Sequence, residues 1–181
     1  MKASSAADGP DIRRSVPSDR HAIEALYPRA FPDEDLVPLV RDLLEEGNGT
    51  VSLVAFIDSS LVGNIIFTKC AADAGRPKSA LLAPLAVAPE WQRQGIGSSL
   101  VRTGLRQLRE EGISAVYVLG DPAYYGRLGF SPERSVRTPY PLPPEWADAW
   151  QSQTLGDVVG PAGGELSVPE VWLDPALWSA G

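Results

Sequence analysis

The feature that most constrains the fold is the stretch APLAVAPEWQRQGIGSSLVRTGLRQL, from Ala83 to Leu108. In it, an apolar run with strand character passes through a polar turn that holds Gly95 and Gly97, and an amphipathic helix follows at once. Glycines at such a point let the backbone approach a ligand closely and adopt unusual dihedral angles. Unpaired N–H groups at the start of a helix attract anions. The stretch therefore predicts a phosphate-binding turn between a strand and a helix.

The rest of the chain carries strand and helix patterns in alternation, which is typical of an α/β fold. In chain order the sequence predicts a strand within 11–19, a helix from Ser18 to about Arg29, a helix over 31–46, a β-hairpin over 50–71 that turns at Ser59-Ser60, a strand over 80–88, a helix over about 94–111, a strand over 114–120 and a short helix after Asp121. Asp121 is expected to cap that short helix. We expect one domain over 11–181, preceded by a disordered tail over 1–10.

The C-terminal part, 132–181, has an unusual composition, with eight of the seventeen prolines. It also holds four of the five tryptophans: Trp146, Trp150, Trp172 and Trp178. Disordered segments seldom carry so many large aromatic residues, so we expect an ordered, loop-rich layer with strands near 150–155 and 166–172. The same part has seven acidic residues against Arg134 and Arg137, which gives −5 of the net charge of −7.

Composition excludes several classes of function. A net charge of −7 disfavours nucleic acid, whose phosphates require a basic surface. No apolar run reaches the ~20 residues of a membrane-spanning helix, so no membrane partner is expected. His21 and Cys70 are the only histidine and cysteine, so a zinc site of these ligands is excluded and no metal is expected. The single cysteine also fits a reducing compartment, and we expect a cytoplasmic protein.

The glycine turn fits neither of two familiar phosphate-binding motifs. The dinucleotide fingerprint G-x-G-x-x-G requires a glycine at the position that Leu100 occupies. A P-loop requires G-K-[ST], which is missing. Nucleophilic hydrolysis is disfavoured as well, because neither His21 nor Cys70 lies in a recognisable catalytic signature and the sequence has no G-x-S-x-G elbow.

The spacing that remains is Q-x-x-G-x-G, formed by Gln92, Gly95 and Gly97. With the later stretch YVLGDPAYYGRLGF and the early AFPDEDLVPLV, the chain resembles the GNAT superfamily of acetyl-CoA-dependent N-acetyltransferases, in particular its YhbS-like subgroup, over roughly 11–137. The resemblance implies the GNAT-type acyl-CoA N-acyltransferase fold, a mixed, mainly antiparallel sheet that splays in the middle and is flanked by helices. It also implies transfer of the acetyl group of acetyl-CoA to a primary amine by direct attack in a ternary complex.

The resemblance assigns the co-substrate to two neighbouring segments. Backbone amides from Arg93 to Ser98 would hold the pyrophosphate of coenzyme A, and the exposed backbone of Leu85 and Val87 would pair with the pantetheine arm. The Val87 N–H would donate to the acetyl oxygen as negative charge develops on it. The residues predicted to bind the co-substrate are Leu85, Ala86, Val87, Gln92, Arg93, Gln94, Gly95, Ile96, Gly97, Ser98, Asp121 and Tyr125.

Three residues carry the acid–base chemistry that the resemblance implies. Tyr125 stands where the family often places a tyrosine, five residues before Phe130, and its phenol can protonate the departing thiolate. A core aromatic position is the alternative. Glu34 and Asp35, on the helix that forms the acceptor side in this family, are candidates for the base, and solvated positions in the first turn of that helix are the alternative. For Asp121 the helix cap is the alternative to a contact with coenzyme A.

Two other functions stay open beside acetyl transfer. One is a non-catalytic module that binds coenzyme A, and the other is a transferase for a longer acyl-CoA. The acceptor is a small-molecule or protein amine, and the resemblance allows a homodimer. The resemblance implies that the chain beyond Phe130 lies beside the acceptor, and with the acidic charge and the tryptophans of 132–181 this predicts a preference for a cationic or polyamine-like amine. The alternative is that these acids keep a proline-rich surface soluble.

Overall fold

The structure, a computed structural model, describes residues 9–72, 78–156 and 163–179. The chain divides into two compact units. The first comprises Met1–Phe67 and Pro84–Gly104, and the second comprises Thr68–Ala83 and Leu105–Gly181. Of the predicted tail over 1–10, residues 1–8 lie outside the described residues. The assignment of 11–181 to a single domain stays a prediction.

The described residues form four α-helices and nine strands, in the alternation that the sequence predicts. The helices are α1 (Arg20–Ala30), α2 (Val37–Glu45), α3 (Ile96–Glu110) and α4 (Pro122–Gly126). The strands are β1 (Asp11–Arg14), β2 (Thr50–Ile57), β3 (Ser60–Ala72), β4 (Ser79–Val87), β5 (Ala115–Leu119), β6 (Ser131–Pro132), β7 (Val136–Arg137), β8 (Trp150–Thr154) and β9 (Gly164–Ser167). In the parts of the chain that are described, no helix is long and apolar enough to cross a membrane.

The strands form a mixed, mostly antiparallel sheet, as the resemblance implies. Its order is β1-β2-β3-β4-β5-β8-β6, and β9 pairs with both β3 and β7. β4 and β5 run parallel, with Ser79–Leu81 opposite Ala115–Tyr117. This pairing covers only the first three of the nine residues of β4. β5 pairs with β8 along its whole length.

The hairpin of β2 and β3 belongs largely to the first unit. Its two-residue turn is Asp58-Ser59, and both residues have positive φ, 48° and 67°. Such values are those of a type I′ turn, which matches the twist of the flanking strands. The predicted turn, Ser59-Ser60, is therefore shifted by one residue, since Ser60 already opens β3.

A buried amide ties α1 to this hairpin. Asn64 on β3 is fully buried, and its Oδ1 accepts a hydrogen bond from the Tyr27 hydroxyl of α1 at 2.7 Å. Its Nδ2 donates to the Leu53 carbonyl at 2.9 Å and to the Ser52 hydroxyl at 3.1 Å. The polar atoms of this side chain are thus paired inside the apolar core, which avoids the cost of an unsatisfied buried group.

Two glycines bring α3 and β3 close together. A Cβ at Gly63 would lie 2.9 Å from Cδ1 of Leu100, and a Cβ at Gly104 would lie 2.1 Å from Cε2 of Phe67. Real side chains do not approach so closely, so helix and strand pack at a distance that only glycine permits. This contact fixes the position at which α3 begins, directly after the predicted phosphate-binding turn.

Tryptophans form the core of the second unit. Trp150 stacks on Tyr117 with ring centroids 5.5 Å apart, and Trp178 meets Trp150 and Trp172 edge to face at 6.0 and 6.2 Å. All three indoles are buried, and each N–H donates to a carbonyl or hydroxyl oxygen of the same unit. Their faces are therefore not open to a cationic acceptor, and the role predicted for these three tryptophans is wrong. Their burial orders the proline-rich C-terminal part.

One of the two C-terminal strand predictions is confirmed. β8 coincides with the strand predicted near 150–155. The second strand, predicted near 166–172, is shorter and begins earlier. It is β9, Gly164–Ser167, and a 3₁₀ helix over Glu170–Trp172 takes the place of its predicted second half. Pro169 lies between them, and a proline has no N–H to continue a ladder, so the strand ends before it.

The predicted cap of α1, Ser18, is wrong: Ser18 lies in a short 3₁₀ helix, Pro17–Asp19, and Asp19 directly precedes α1 without a side-chain cap bond to it. Its carboxylate accepts the Val16 N–H at 2.8 Å and two N–H groups of the Arg13 guanidinium at 2.7 and 3.0 Å. The side chain is 10% exposed. The guanidinium that bonds it holds the pKa of Asp19 below its usual value.

We expect Asp19→Asn to lower the free energy of unfolding at neutral pH by roughly 1–3 kcal/mol, because a neutral amide replaces an ion-paired carboxylate. The pKa of Asp19 is lowered in the folded state, so its stabilisation is present above the unfolded pKa, about 3.9, and is lost as the pH falls through the folded value. Urea unfolding of both chains over a series of pH values measures the difference. A difference that stays constant below about pH 4 would contradict this role of the ion pair.

Candidate active site

The turn between β4 and α3 has the backbone shape of an anion-binding nest. Pro89–Trp91 forms a short 3₁₀ helix after β4, and α3 begins at Ile96. Between them, Arg93 and Gly95 have positive φ, 62° and 84°. Left-handed residues among right-handed ones curve the backbone so that successive N–H groups converge. We call the segment from Gln92 to Ser98 the phosphate turn.

Most N–H groups of the phosphate turn are open to a ligand, although that of Gln92 donates to the Pro89 carbonyl at 3.3 Å. From Arg93 to Ser98, none of them has a backbone acceptor among the described residues. The next N–H, that of Ser99, donates to the Gly95 carbonyl at 3.0 Å and opens the hydrogen bonding of α3. Residues 93–95 are exposed. Unpaired N–H groups at this end of a helix also carry the positive end of its dipole, so the turn can hold phosphate.

Two glutamine side chains hold the phosphate turn in shape. Nε2 of Gln92 donates to the Val87 carbonyl at the end of β4 at 3.0 Å, and Nε2 of Gln94 donates to the Glu90 carbonyl at 3.2 Å. The Glu90 carboxylate in turn accepts from the Arg29 guanidinium at 2.6 Å. The amides of both glutamines are thus engaged with the protein's own backbone, and what this segment offers a ligand is mainly its main chain.

The last residues of β4 expose backbone groups on one edge. The N–H of Ala88 donates to a carbonyl of β3 at 2.8 Å. Because backbone groups alternate in direction along a strand, the N–H and C=O groups of Leu85 and Val87 point to the opposite edge. β4 pairs with β5 only over Ser79–Leu81. The Val87 N–H and both backbone groups of Leu85 are therefore available to an extended ligand that adds itself as a strand.

Tyr125 lies on α4 in the second unit. Its ring meets the rings of Tyr124 and Phe130 edge to face, with centroids 5.0 and 5.6 Å apart. The residue is 9% exposed, and burial raises the pKa of its phenol well above the ordinary value. A phenol in this position is protonated at neutral pH.

Neighbouring backbone contacts fix the position of Tyr125. Asp121 is confirmed as the cap of α4, since its Oδ1 accepts the Ala123 N–H at 2.9 Å. A Cβ at Gly120 would lie 2.4 Å from the Tyr125 ring. The Gly120 carbonyl accepts a hydrogen bond at 3.1 Å from Nε2 of Gln151, a side chain of β8 that is 1% exposed. The sequence prediction missed Gln151, because nothing in its local pattern separates it from other polar strand residues.

Glu34 and Asp35 do not stand on a helix as predicted. Both are exposed and lie in the turn before α2, which begins at Val37. Pro38 explains this start, because a proline is accepted in the first turn of a helix and not in its interior. The two acids are therefore solvated loop residues, close to the alternative that the sequence left open.

The structure divides the predicted site residues between the two units. Leu85–Val87 and Gln92–Ser98 follow one another along β4, the phosphate turn and α3 within the first unit, to which Glu34 and Asp35 also belong. Asp121 and Tyr125 belong to the second unit. In the ranges that the structure describes, no three side chains of the metal-binding types come together.

The fold and the phosphate turn define the class of protein. The family model "Acetyltransferase (GNAT) family" matches residues 20–130, and the chain belongs to this family of acetyl-CoA-dependent acyltransferases. It is 39% identical over 145 residues to an uncharacterized N-acetyltransferase of Escherichia coli (strain K12), YjhQ, covering 76% of this chain and 80% of that protein. It is also 39% identical over 120 residues to YhbS of the same strain, covering 66% of this chain and 72% of YhbS.

Solved structures give the same result. The crystal structure of E. coli YhbS in complex with CoA matches with a TM-score of 0.82 and 32% identity, over 94% of this chain and 93% of that one. A GNAT acetyltransferase from Brucella melitensis in complex with acetyl-CoA matches with a TM-score of 0.73 and 27% identity, over 90% and 97% of the two chains. The predicted family, fold and co-substrate are confirmed. The free N–H groups of the phosphate turn and the open edge of β4 fit a pyrophosphate and an amide-bearing arm.

We expect Gly95→Ala to weaken the binding of acetyl-CoA and Gly112→Ala, at the end of α3, to leave it unchanged. The two glycines have φ of 84° and 85° and open space around the missing Cβ, so both substitutions cost the same strain, roughly 1–2 kcal/mol. Only Gly95 lies in the phosphate turn. Calorimetric titration should show a Kd at least about tenfold higher for Gly95→Ala, with melting curves as the stability control. An equal Kd in both variants would show that the turn does not hold the co-substrate.

Proposed function

We propose that this protein transfers the acetyl group of acetyl-CoA to a primary amine by direct attack in a ternary complex. The observation that supports this best is a row of backbone groups without a backbone partner in the first unit. It runs from Leu85 and Val87 on the edge of β4 to the N–H groups of the phosphate turn. The edge of β4 suits the pantetheine arm as an added strand, and the phosphate turn suits the pyrophosphate. Both parts of one elongated ligand are thus matched by main-chain groups.

The acetyl oxygen gains negative charge while the amine attacks the carbonyl carbon. In our proposal the Val87 N–H donates to this oxygen and stabilises the charge. A backbone donor held by a strand does not need to reorganise during the reaction, and donors of this kind typically contribute ~3–4 kcal/mol. Gln92 supports the arrangement, because its bond to the Val87 carbonyl steadies the same residue.

Starting from the neutral amine, one proton is given to sulfur and one is removed from nitrogen, and the proton from nitrogen returns through solvent to the group that protonated the sulfur. The nitrogen lone pair forms the new N–C bond, the C–S bond breaks, and its electron pair leaves with the sulfur. We assign the proton that the thiolate takes to Tyr125, whose buried phenol is neutral before the reaction.

The attacking amine has to be neutral, and alkyl ammonium groups titrate near ~10. A base is therefore needed at neutral pH. Glu34 and Asp35 are our candidates, and their exposed positions before α2 favour transfer through a bridging water molecule over direct contact.

The acceptor is a small-molecule or protein amine. The predicted preference for a cationic amine loses support, since several acids of the C-terminal part have structural partners. Glu133 accepts two backbone N–H groups, Asp148 pairs with Arg134, and Asp174 caps the 3₁₀ helix over Pro175–Trp178. Asp157 lies outside the described residues.

Release of free CoA from acetyl-CoA, measured over a panel of primary amines, tests the proposed activity. Mass spectrometry of each reaction should find one N-acetylated product. Firm binding of acetyl-CoA without acetylation of any amine would favour the non-catalytic module instead. A parallel series with longer acyl-CoA donors tests the remaining alternative, a transferase for a longer acyl-CoA. Such an enzyme would release free CoA faster from one of these donors than from acetyl-CoA.

We expect Tyr125→Phe to lower kcat by about 10²–10⁴-fold, because the ring remains and only the proton donor is lost. Tyr124→Phe, a neighbour on the same helix, is the matched control and should keep its kcat. The Kd for acetyl-CoA should be the same in both variants. If kcat of Tyr125→Phe is unchanged while chemistry limits the rate, Tyr125 is a packing residue and the acid is another group.

A further inference from the structure

A cavity of about 450 Å³ lies in the second unit, beside β7 and β9. Its volume is within the ~300–1,000 Å³ of sites that bind small molecules. Its apolar wall consists of Val136, Pro139, Tyr140, Pro141, Leu142 and Trp150. The prolines fix the backbone of this wall, and the Thr138 hydroxyl donates to the Tyr140 carbonyl at 2.6 Å. The cavity is thus shaped before a ligand arrives, which lowers the entropic cost of binding.

Four charged residues line the cavity, and two of them are held by the protein. The Glu133 carboxylate accepts two backbone N–H groups at 2.7 and 2.8 Å and a serine hydroxyl at 2.8 Å. Arg134 pairs with Asp148 and donates to the Ala147 carbonyl at 3.1 Å. These two residues therefore complete the structure of the wall.

The other two charged residues, Arg137 and Glu165, are exposed register partners on neighbouring parallel strands. Partners in register lie on the same face of a sheet, with strands ~4.8 Å apart. Within the described ranges, no ion pair or hydrogen bond joins either side chain to another residue. One cation and one anion thus stand side by side at an apolar cavity.

We propose that this cavity binds a small zwitterion with an apolar or aromatic body, such as a free aromatic amino acid. An α-amino acid carries its ammonium and carboxylate on one carbon, so its two charges suit two side chains on adjacent strands. The carboxylate bonds the Arg137 guanidinium, and the ammonium bonds the Glu165 carboxylate. The body lies against Tyr140 and the prolines of the wall. This site does not depend on the proposed transferase activity.

Calorimetric titration of the full chain, without acetyl-CoA, tests the proposal with three probes. L-phenylalanine carries both charges, phenylalanine amide lacks the carboxylate, and N-acetylphenylalanine lacks the ammonium. We expect phenylalanine to bind at least about tenfold more tightly than either derivative. Arg137→Gln should reduce its affinity to that of the amide for the unaltered chain, and Glu165→Gln to that of the N-acetyl derivative. Arg106→Gln, an exposed arginine of α3 outside the cavity wall, should change nothing.

Three results would overturn the proposal. The first is no binding of phenylalanine at millimolar concentrations, and the second is equal affinity for all three probes. The third is an affinity for phenylalanine that neither Arg137→Gln nor Glu165→Gln alters. It would mean that these two side chains form an ion pair with each other in solution and do not bind the ligand. Both substitutions are at exposed positions, and melting curves of the variants verify the fold.

Discussion

The candidate site depends on a strand that loses its neighbour. β4 pairs with β5 over its first three residues only, and further along the chain its Leu85 and Val87 keep backbone groups without a strand partner. An unpaired strand edge tends to take up any extended chain that fits it. In this protein the edge leads through the 3₁₀ helix Pro89–Trp91 into the phosphate turn, so a ligand with an extended arm and an anionic group suits both. The glycine contacts at Gly63 and Gly104 hold α3 where this continuity is possible.

Much of the fold and of the co-substrate segment could be predicted, because the signals are local. The strand and helix patterns have clear periods, and the glycine spacing after β4 corresponds to a real backbone requirement, as the φ of 84° at Gly95 shows. Pro38 could have placed the start of α2 correctly, but the acidic residues before it have the character of a first helical turn. Such boundaries are the least reliable part of a prediction from sequence.

What sequence could not provide depends on contacts between distant residues. Asp19, directly before α1, is held by the Arg13 guanidinium of a separate strand, a contact that no local pattern shows. Composition shows that tryptophans accumulate near the C-terminus, but it does not show whether their faces meet a ligand or one another. In the structure Trp150 and Trp178 pack together, so residues beyond the 20–130 that match the family provide part of a core.

The hydrogen bond from Gln92 to the Val87 carbonyl links the two ends of the candidate site rigidly. Val87 belongs to the end that would face the thioester, and Gln92 opens the end that would face the phosphates. This bond and the short 3₁₀ helix Pro89–Trp91 together hold the two ends at a fixed separation. If both ends bind one carrier, a carrier whose acyl group and phosphate are closer together than this separation would reach one end or the other, but not both at once. The rigid separation would then select carriers by length, in addition to any group that recognises their chemistry.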